Sequence, residues 1–590
     1  MACHPERSAA PRRGVEGSAV AFRKPRLIFI SALSIVAIFP GTFLSAQSNP
    51  SAAPPKPTAP VIRFEDATDK AGIDFVHSFG SRQLGSLLEG TGAGCVWFDY
   101  NNDGLPDLYV VNGRPLDDSI HPYPLKEKPA VPPHNHLYRN DGNGHFTDVT
   151  AKSGLNPDMY SVAVAAADFD NDGFADLLVT AYGKTILYHN DGNGHFTDVT
   201  EKAGIKVDGW AISSTWLDYD KDGCVDLFVG RYLKFDPKYR NYYAADNYPG
   251  PLDYEGETNK LYRNNCDGTF TDVSEKSGIA ALVGRTMGVT AADFDNDGWD
   301  DIYVANDRTE NFLLRNKHDG TFEEIGNETG TAFGQNGEST SSMGPVFADL
   351  EGRGMLDLWV TDGHYNRLLH NTGKLAFDDI GASNGVSQTN AQYVSWGTGV
   401  YDYDNDGYPD ILIFHGGLIH LIPQEHTLFR GIGQGRFEDV SREAGPVLSV
   451  RTTARGACFA DYDNDGKVDS FLVNLGAKGT LVHNTSENTG HWIALKLVGA
   501  MRPGDQGNAG NAKSNRDGIG ARVEVFAGGK RWTAERVAGS GYLSQDDDRM
   551  HFGLGSANSI DKILIHWPSG REQTLEKQAA DRVITVEEPR

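Results

Sequence analysis

At 590 residues the chain is too long for one ordinary hydrophobic core, so several units or a repeat array are expected. Its formal net charge of -26 argues against nucleic acid, whose phosphates need basic partners.

Met1 to Pro25 is basic and irregular, with Arg12, Arg13, Arg23 and Lys24. An uncharged apolar run then extends from Leu27 to Ala46 and closes on Leu-Ser-Ala, the small-residue end of a secretory signal. Residues 1–46 read as a signal peptide, or alternatively as an uncleaved anchor, because about twenty apolar residues can span a bilayer. Residues 47–60, rich in Pro, Ala and Ser, have a linker composition. Nothing later is apolar for long enough to cross a membrane, so membrane contact would come only through the N-terminal segment. A secreted, periplasmic or cell-surface location is expected.

From Asp99 onward a nine-residue stretch keeps returning. Its cleanest form is Asp168-Phe-Asp170-Asn-Asp172-Gly173-Phe-Ala-Asp176. The same grammar recurs at Asp218, Asp220, Asp222 and Asp226; at Asp293, Asp295, Asp297 and Asp301; and at Asp402, Asp404, Asp406 and Asp410. It recurs again at Asp461, Asp463, Asp465 and Asp469, and an earlier copy reads Asp99, Asn101, Asp103 and Asp107. A seventh copy, at Asp349, is worn: Glu351 fills the second acidic slot, Arg353 the third, and Asp357 closes it.

The spacing suits calcium, a hard ion that takes six to eight oxygens at about 2.3–2.6 Å. Alternate side chains of a tight loop supply those oxygens, and Gly in the sixth position permits the left-handed backbone that folds the loop round an ion. An EF-hand opens the same way but closes at its twelfth residue between two helices. Here closure comes at the ninth residue, and the flanks are strand-like, as in Asp107-Leu-Tyr-Val-Val. Six intact copies therefore predict about six Ca²⁺ sites in β-hairpins, and Arg353 predicts an internal ion pair in place of the metal in the seventh.

A second repeat runs out of phase with the first. Leu137-Tyr-Arg-Asn-Asp-Gly-Asn-Gly-His-Phe-Thr-Asp-Val-Thr150 returns almost unchanged at 187–200 and more loosely four times later. Each copy pairs a short strand and a Gly-rich turn with a strand opened by Phe: Phe146, Phe196, Phe270, Phe322, Phe377 and Phe437. One more Phe strand, at Phe64, precedes every loop and is expected to complete the sheet that ends at Leu481-Val-His-Asn. The predicted fold class is all-β, a seven-bladed β-propeller over residues 61–487. This region resembles the FG-GAP and VCBS repeats, the former being the calcium-loop blades of integrin α-subunit propellers.

Two insertions interrupt the repeats, at 113–135 and 231–257. The second carries Tyr239, Tyr242, Tyr243, Tyr248 and Tyr254 as candidate ligand contacts, since Tyr offers a flat apolar face and a hydroxyl. Of the cysteines, Cys95 and Cys458 flank the first and last loops, where a bridge near the ring closure is conceivable.

After His491-Trp-Ile-Ala-Leu-Lys-Leu the blade pattern stops. Alternating strands then predict a compact antiparallel β-sandwich over 488–590. Gln545-Asp-Asp-Asp-Arg549 reads as an acidic turn, either solvated or cation-binding. This part looks like the ASPIC/UnbV domain, on the marks Gly518-Ile-Gly-Ala-Arg522, Gly539-Ser-Gly-Tyr-Leu-Ser-Gln545, His551-Phe-Gly-Leu-Gly555 and Trp567-Pro-Ser-Gly570. Propeller followed by this domain is the layout of the cartilage acidic protein family. The resemblance implies a secreted calcium-binding protein of adhesion or matrix contact.

No catalytic set stands out. His364, His370, His415, His420 and His426 show no metal-ligand spacing, and Gly-Ser540-Gly lacks the nucleophile-elbow pattern. The expectation is a non-catalytic, exported, calcium-stabilised protein that binds an envelope or matrix glycan or protein. A calcium-dependent lyase or hydrolase acting on polysaccharide is the alternative, because propellers host such enzymes too.

Overall fold

The computed structural model describes residues 61–590 apart from 116–119, 128, 243–248, 388–390, 419 and 508–512. The N-terminal leader or anchor, the linker, Tyr243 and Tyr248 therefore lie outside the described residues. No helix among the described residues is long and apolar enough to cross a membrane.

Among the described residues seven four-stranded antiparallel sets follow one another along the chain, the fourth and fifth being joined into one eight-stranded sheet where Asp307 and Thr309 pair with Ser341 and Thr340. Sheet two is representative: Ser161–Ala167, Asp176–Ala181, Ile186–Asn190 and Phe196–Asp198, paired in chain order. Every nine-residue loop joins the first strand of a sheet to its second, and the closing Asp is the second strand's first residue. The first strands touch in sequence round a ring, and that of sheet seven (Ala454–Ala460) touches that of sheet one (Cys95–Phe98). Phe64–Asp66 closes the ring by pairing with Thr480–Asn484, Phe64 opposite Asn484, as expected. The fold is a β-propeller.

The two offset repeats meet in the core. In six of the seven loops the second residue is aromatic, and it packs on the Phe that opens the fourth strand of the next sheet. Tyr100 meets Phe196 at 6.3 Å, Phe169 meets Phe270 at 5.7 Å and Tyr219 meets Phe322 at 5.9 Å. Phe294 meets Phe377 at 5.8 Å, Tyr403 meets Phe64 at 5.5 Å and Tyr462 meets Phe146 at 5.6 Å. At the remaining junction Leu350 of the worn loop shares a cluster with Phe437. A sheet buries its inner face only against its neighbour, so each half-repeat is stabilised by the half that follows it.

The C-terminal sandwich differs from expectation in one respect. Its four-stranded sheet is antiparallel, but in the three-stranded sheet His491–Val498 pairs parallel with Arg582–Glu587. Both strands are needed to flank the core residues Ile493, Leu495 and Val586, and the long excursion between them allows the parallel return.

The connection between Lys530–Glu535 and Met550–Gly555 leaves the sandwich and runs into the bore of the propeller. The innermost strand of each sheet has an unpaired edge there, and buried N–H and C=O groups need partners. The connection supplies them. Trp216 donates its N–H to the Ala538 carbonyl at 2.8 Å, Gly541 donates to Pro345 at 2.9 Å, Gln545 donates to Cys95 at 3.0 Å and Asp547 donates to Phe459 at 2.9 Å. The Gln545 side chain accepts from the N–H of Ala166 and donates to its carbonyl, both at 3.0 Å. At the far end Tyr542 donates its hydroxyl to the Thr91 carbonyl at 3.0 Å. The fit is tight enough to require glycine: a Cβ on Gly94 would lie 1.8 Å from the Leu543 carbonyl oxygen.

Two expectations are corrected here. The disulfide joins Cys224 to Cys266, whose Cα atoms are 5.7 Å apart, while Cys95 and Cys458 are buried free thiols on neighbouring inner strands. The Asp546-Asp-Asp548 run is neither a solvated turn nor an open cation site. It is the base of the plug: Asp546 accepts from the Tyr401 hydroxyl at 2.7 Å and the Phe459 N–H at 3.0 Å, Asp547 pairs with Arg549 at 2.5 Å, and Asp548 lies 3.5 Å from Lys496.

Candidate metal centres

Each loop is built by its own carboxylates before any ion is considered. The first Asp accepts two backbone N–H groups, from the fifth and sixth residues. For Asp168 these are Asp172 at 2.9 Å and Gly173 at 2.7 Å, and the pattern repeats from Asp99 to Asp461. Two left-handed positions on either side of Asp172 make the bend, Asn171 at φ 60° and Gly173 at φ 95°.

The ninth Asp is also tied at both oxygens. Asp176 accepts from the N–H of Asn190 at 2.7 Å and of Phe169 at 3.1 Å. Asp107, Asp226, Asp410 and Asp469 repeat both bonds. The first and ninth carboxylates are thus both fixed by backbone N–H groups of the loop and its flanking strands. One oxygen each from Asp168, Asp170 and Asp176, and likewise from Asp218, Asp220 and Asp226, lie within 4.8 Å of one another.

Such crowding is electrostatically unfavourable. Burial, reinforced by neighbouring carboxylates, pushes the Asp107 and Asp461 carboxyls up to about 8 and Asp469 to about 7. Asp168, Asp176, Asp218, Asp226, Asp301, Asp402 and Asp410 are raised well above the carboxylate range for the same reason. Buried oxygens of Asp170, Asp220, Asp301 and Asp463 have no hydrogen-bond partner. An all-oxygen donor set with orphaned buried acceptors suits a hard divalent cation.

Sequence reasoning passed over two further parts of each loop. The residue before the last in the third strand is Arg or His; in four sheets it reaches back to the third and fifth positions, while His370 and His483 meet the ninth Asp and Arg139 pairs with Asp141. Arg263 lies 2.5 Å from Asp220 and 2.6 Å from Asp222; Arg430 lies 2.7 Å from Asp404 and 2.5 Å from Asp406; His189 lies 3.1 Å from Asp170. The last residue is Asn in six sheets, and its amide clasps two carbonyls, one in its own sheet and one in the preceding loop. Asn190 donates to Ala175 and Tyr100, Asn264 to Val225 and Phe169, and Asn484 to Val468 and Tyr403. Sheet six has Gly431 instead, and the loop it would clasp is the worn one. In that loop Arg353 pairs with Glu351 at 2.5 Å and Asp357 at 2.8 Å, the ion pair expected from its sequence.

The sandwich covers the loop face. Arg516 donates its N–H to the Asn171 side chain at 2.7 Å, Asp168 donates to Asp517 at 2.7 Å, and Asp293 donates to Glu535 at 2.9 Å. Trp532 donates to the Gly407 carbonyl at 3.0 Å, Arg549 to the Asp461 carbonyl at 2.7 Å, and Lys496 lies 3.7 Å from Asp99.

The candidate ligand contacts of the 231–257 insertion divide. Tyr242 is 84% exposed and Tyr239 is 41% exposed. Tyr254 is corrected: it is buried, packs edge-on to Tyr239 at 5.7 Å and contacts Phe235 at 5.5 Å, so it holds the insertion together. Among the histidines, His415 and His426 are buried and joined by a backbone N–H to ring nitrogen bond of 3.2 Å, a packing role.

Comparison with known families agrees with this architecture. Residues 99–179, 168–229, 251–304 and 293–360 match the FG-GAP-like repeat, and residues 510–590 match the family described as ASPIC and UnbV. The chain is thus an FG-GAP-repeat β-propeller protein with an ASPIC and UnbV domain. Among curated proteins it is similar to cartilage acidic protein 1 of Homo sapiens, 24% identical over 311 residues, covering 51% of this chain and 43% of the relative. The Xenopus tropicalis protein of that name is 23% identical over 313 residues, 51% of this chain and 44% of the relative. The chain spans less than half the length of the curated relatives it matches. Among solved structures, a lectin of Agrocybe aegerita recognising non-reducing terminal N-acetylglucosamine is 16% identical, covering 65% of this chain and 86% of that one, with a TM-score of 0.36. The BP39L lectin of Burkholderia pseudomallei is 9% identical over 68% of this chain and 96% of that one, with a TM-score of 0.40.

Proposed function

We propose that this is an exported, non-catalytic recognition protein whose propeller is held by Ca²⁺ at the six intact loops. The ion would be held by the acidic side chains of the loops beginning at Asp99, Asp168, Asp218, Asp293, Asp402 and Asp461, and would add positive charge to that of the Arg, His and Lys side chains that reach some of these carboxylates. The worn loop needs none, because Arg353 already supplies it. Residues 1–46 are proposed as leader or anchor, 47–60 as linker, 61–487 as propeller and 488–590 as the ASPIC/UnbV β-sandwich domain.

The observation that carries the recognition reading is the asymmetry of the two faces. The loop face lies under the sandwich and the bore is filled, so the face open for recognition is the other one. Both insertions emerge there, since each joins a second strand to a third. Large apolar side chains are exposed on it, among them Val76, Val131, Tyr242, Leu252, Leu421 and Ile422. Exposed apolar surface gathered on one side of a protein marks an interaction site. Similarity to cartilage acidic protein 1 supports placement among extracellular matrix and envelope partners, glycan or protein.

A glycan and matrix-protein array probed with and without calcium tests this. Binding that is lost on chelation and on changing Tyr242 to Asp supports it. A chain that binds nothing on the array but releases sugar products would favour the enzyme reading instead.

A further inference from the structure

The open face carries a pocket at the mouth of the filled bore. Its volume is about 250 Å³, more than the roughly 150 Å³ in which an apolar cavity holds benzene. Tyr232, Leu252, Met287, Met343, Trp396 and Leu418 supply large apolar side chains to its lining. Trp396 is fixed from three sides: its indole N–H donates to the Gly416 carbonyl at 2.8 Å, the Arg455 guanidinium lies 3.9 Å over the ring, and Tyr542 of the plug packs at 5.0 Å.

Two adjacent charges border the pocket and point opposite ways. Asp307 is buried and accepts from the Tyr232 hydroxyl at 2.7 Å, so its charge is turned inward. Arg308 is exposed and forms no ion pair among the described residues. It stands where the pairing of Asp307 and Thr309 with the start of sheet five slips by one residue, and its φ is 60°. A long side chain held in the left-handed region is strained, and such strain persists where a site uses it. The bulge places the Arg308 guanidinium at the rim of the pocket.

We propose that this pocket binds an apolar carboxylate, its hydrocarbon or ring lying against Trp396, Met287 and Met343 and its anionic head on Arg308. The proposal rests on reading this face as the recognition surface. An apolar body with one charged end matches the aromatic and thioether side chains of the lining together with Arg308. Such a group is offered by a free aliphatic acid or by the C-terminal residue of a polypeptide.

The test is calorimetric titration of the purified chain in calcium with octanoate, octanol, and a leucine-ended pentapeptide as free acid and as amide. Octanoate is expected to bind at least about tenfold more tightly than octanol, the difference one charge-assisted hydrogen bond makes. Arg308→Ala should abolish that difference, and Leu252→Asp should weaken the acid more than the alcohol. Both positions are exposed, so both variants should melt as the parent does. Tighter binding of the peptide acid than of octanoate, absent in the amide, would name a polypeptide terminus as the source; the reverse order would name a free acid. Equal affinity for acid and alcohol, no binding by any probe, or an unchanged octanoate affinity in Arg308→Ala would overturn the proposal. A chelator melting series on the same samples is scored separately: an unshifted melt with binding intact sinks the calcium reading and leaves the pocket standing.

Discussion

The ninth-position aspartate shows how much one residue does in each loop. Asp176 accepts from two buried N–H groups and sits opposite other carboxylates. Asp176→Ala would leave both donors unmet, at about 1–3 kcal/mol each. A loss of about 2–6 kcal/mol is therefore expected in urea unfolding under saturating calcium. The worn loop offers the converse experiment. Glu351→Asp combined with Arg353→Asp restores the acidic spacing, and elemental analysis should find one more calcium per chain; an unchanged metal content would contradict the ligand assignment. Acid sensitivity has a separate origin in two buried imidazoles. Burial pulls His77 and His426 down to about 3, so both stay neutral in the folded protein. In the unfolded chain each takes up a proton below about pH 6.5. Between those values the unfolded state binds more protons, so stability is fully present above pH 6.5 and falls as pH drops. Each group contributes about 1.4 kcal/mol per pH unit to that slope. His77→Gln should give a shallower fall of melting temperature from pH 7 to pH 5 than the parent protein.

Among the elements, the Asn at the end of each third strand does the joining. Asn316 donates to the carbonyls of Tyr219 and Asp300, one in each of two sheets. Asn316→Ala is expected to cost about 2–4 kcal/mol, because two buried acceptors lose their donor; thermal unfolding beside an exposed control such as Thr321→Ala would measure it. These clasps were visible in the sequence as the recurrent Leu-Tyr-Arg-Asn, yet only as part of a strand. The metal loops were legible because their ligands fall within nine residues, and the Phe strands because the same letters return at the same offset. The clasp's second partner belongs to another sheet, and no local spacing reports that. Strand Glu572–Ala579 went unread for a different reason. Its side chains alternate between exposed and half-buried, so no apolar period marks it.

At the level of the whole molecule, the ring closure was legible because one Phe strand stood without a preceding loop. The plug was not. Gly539-Ser-Gly541 reads as a turn, and only the ring shows that small residues are needed to pass between inner strands. If calcium holds the loops, chelation should lower the melting temperature steeply, with up to about 2.7 kcal/mol lost per site that had been at a hundredfold excess over its Kd. Gly94→Ala should drive the plug from the bore, read as new protease cuts between residues 538 and 548 with the propeller left intact. That intrusion also sets an order of events during synthesis. The Phe64 strand precedes the other strands of the ring yet waits for the seventh sheet, and the segment that fills the centre follows the whole ring in the chain. Between the ring-closing strand at Thr480–Asn484 and the plug at 538–548, the emerging chain is a hollow annulus with bare hydrogen-bonding edges. A premature stop within that interval would release a species that looks finished from outside and is unsealed within.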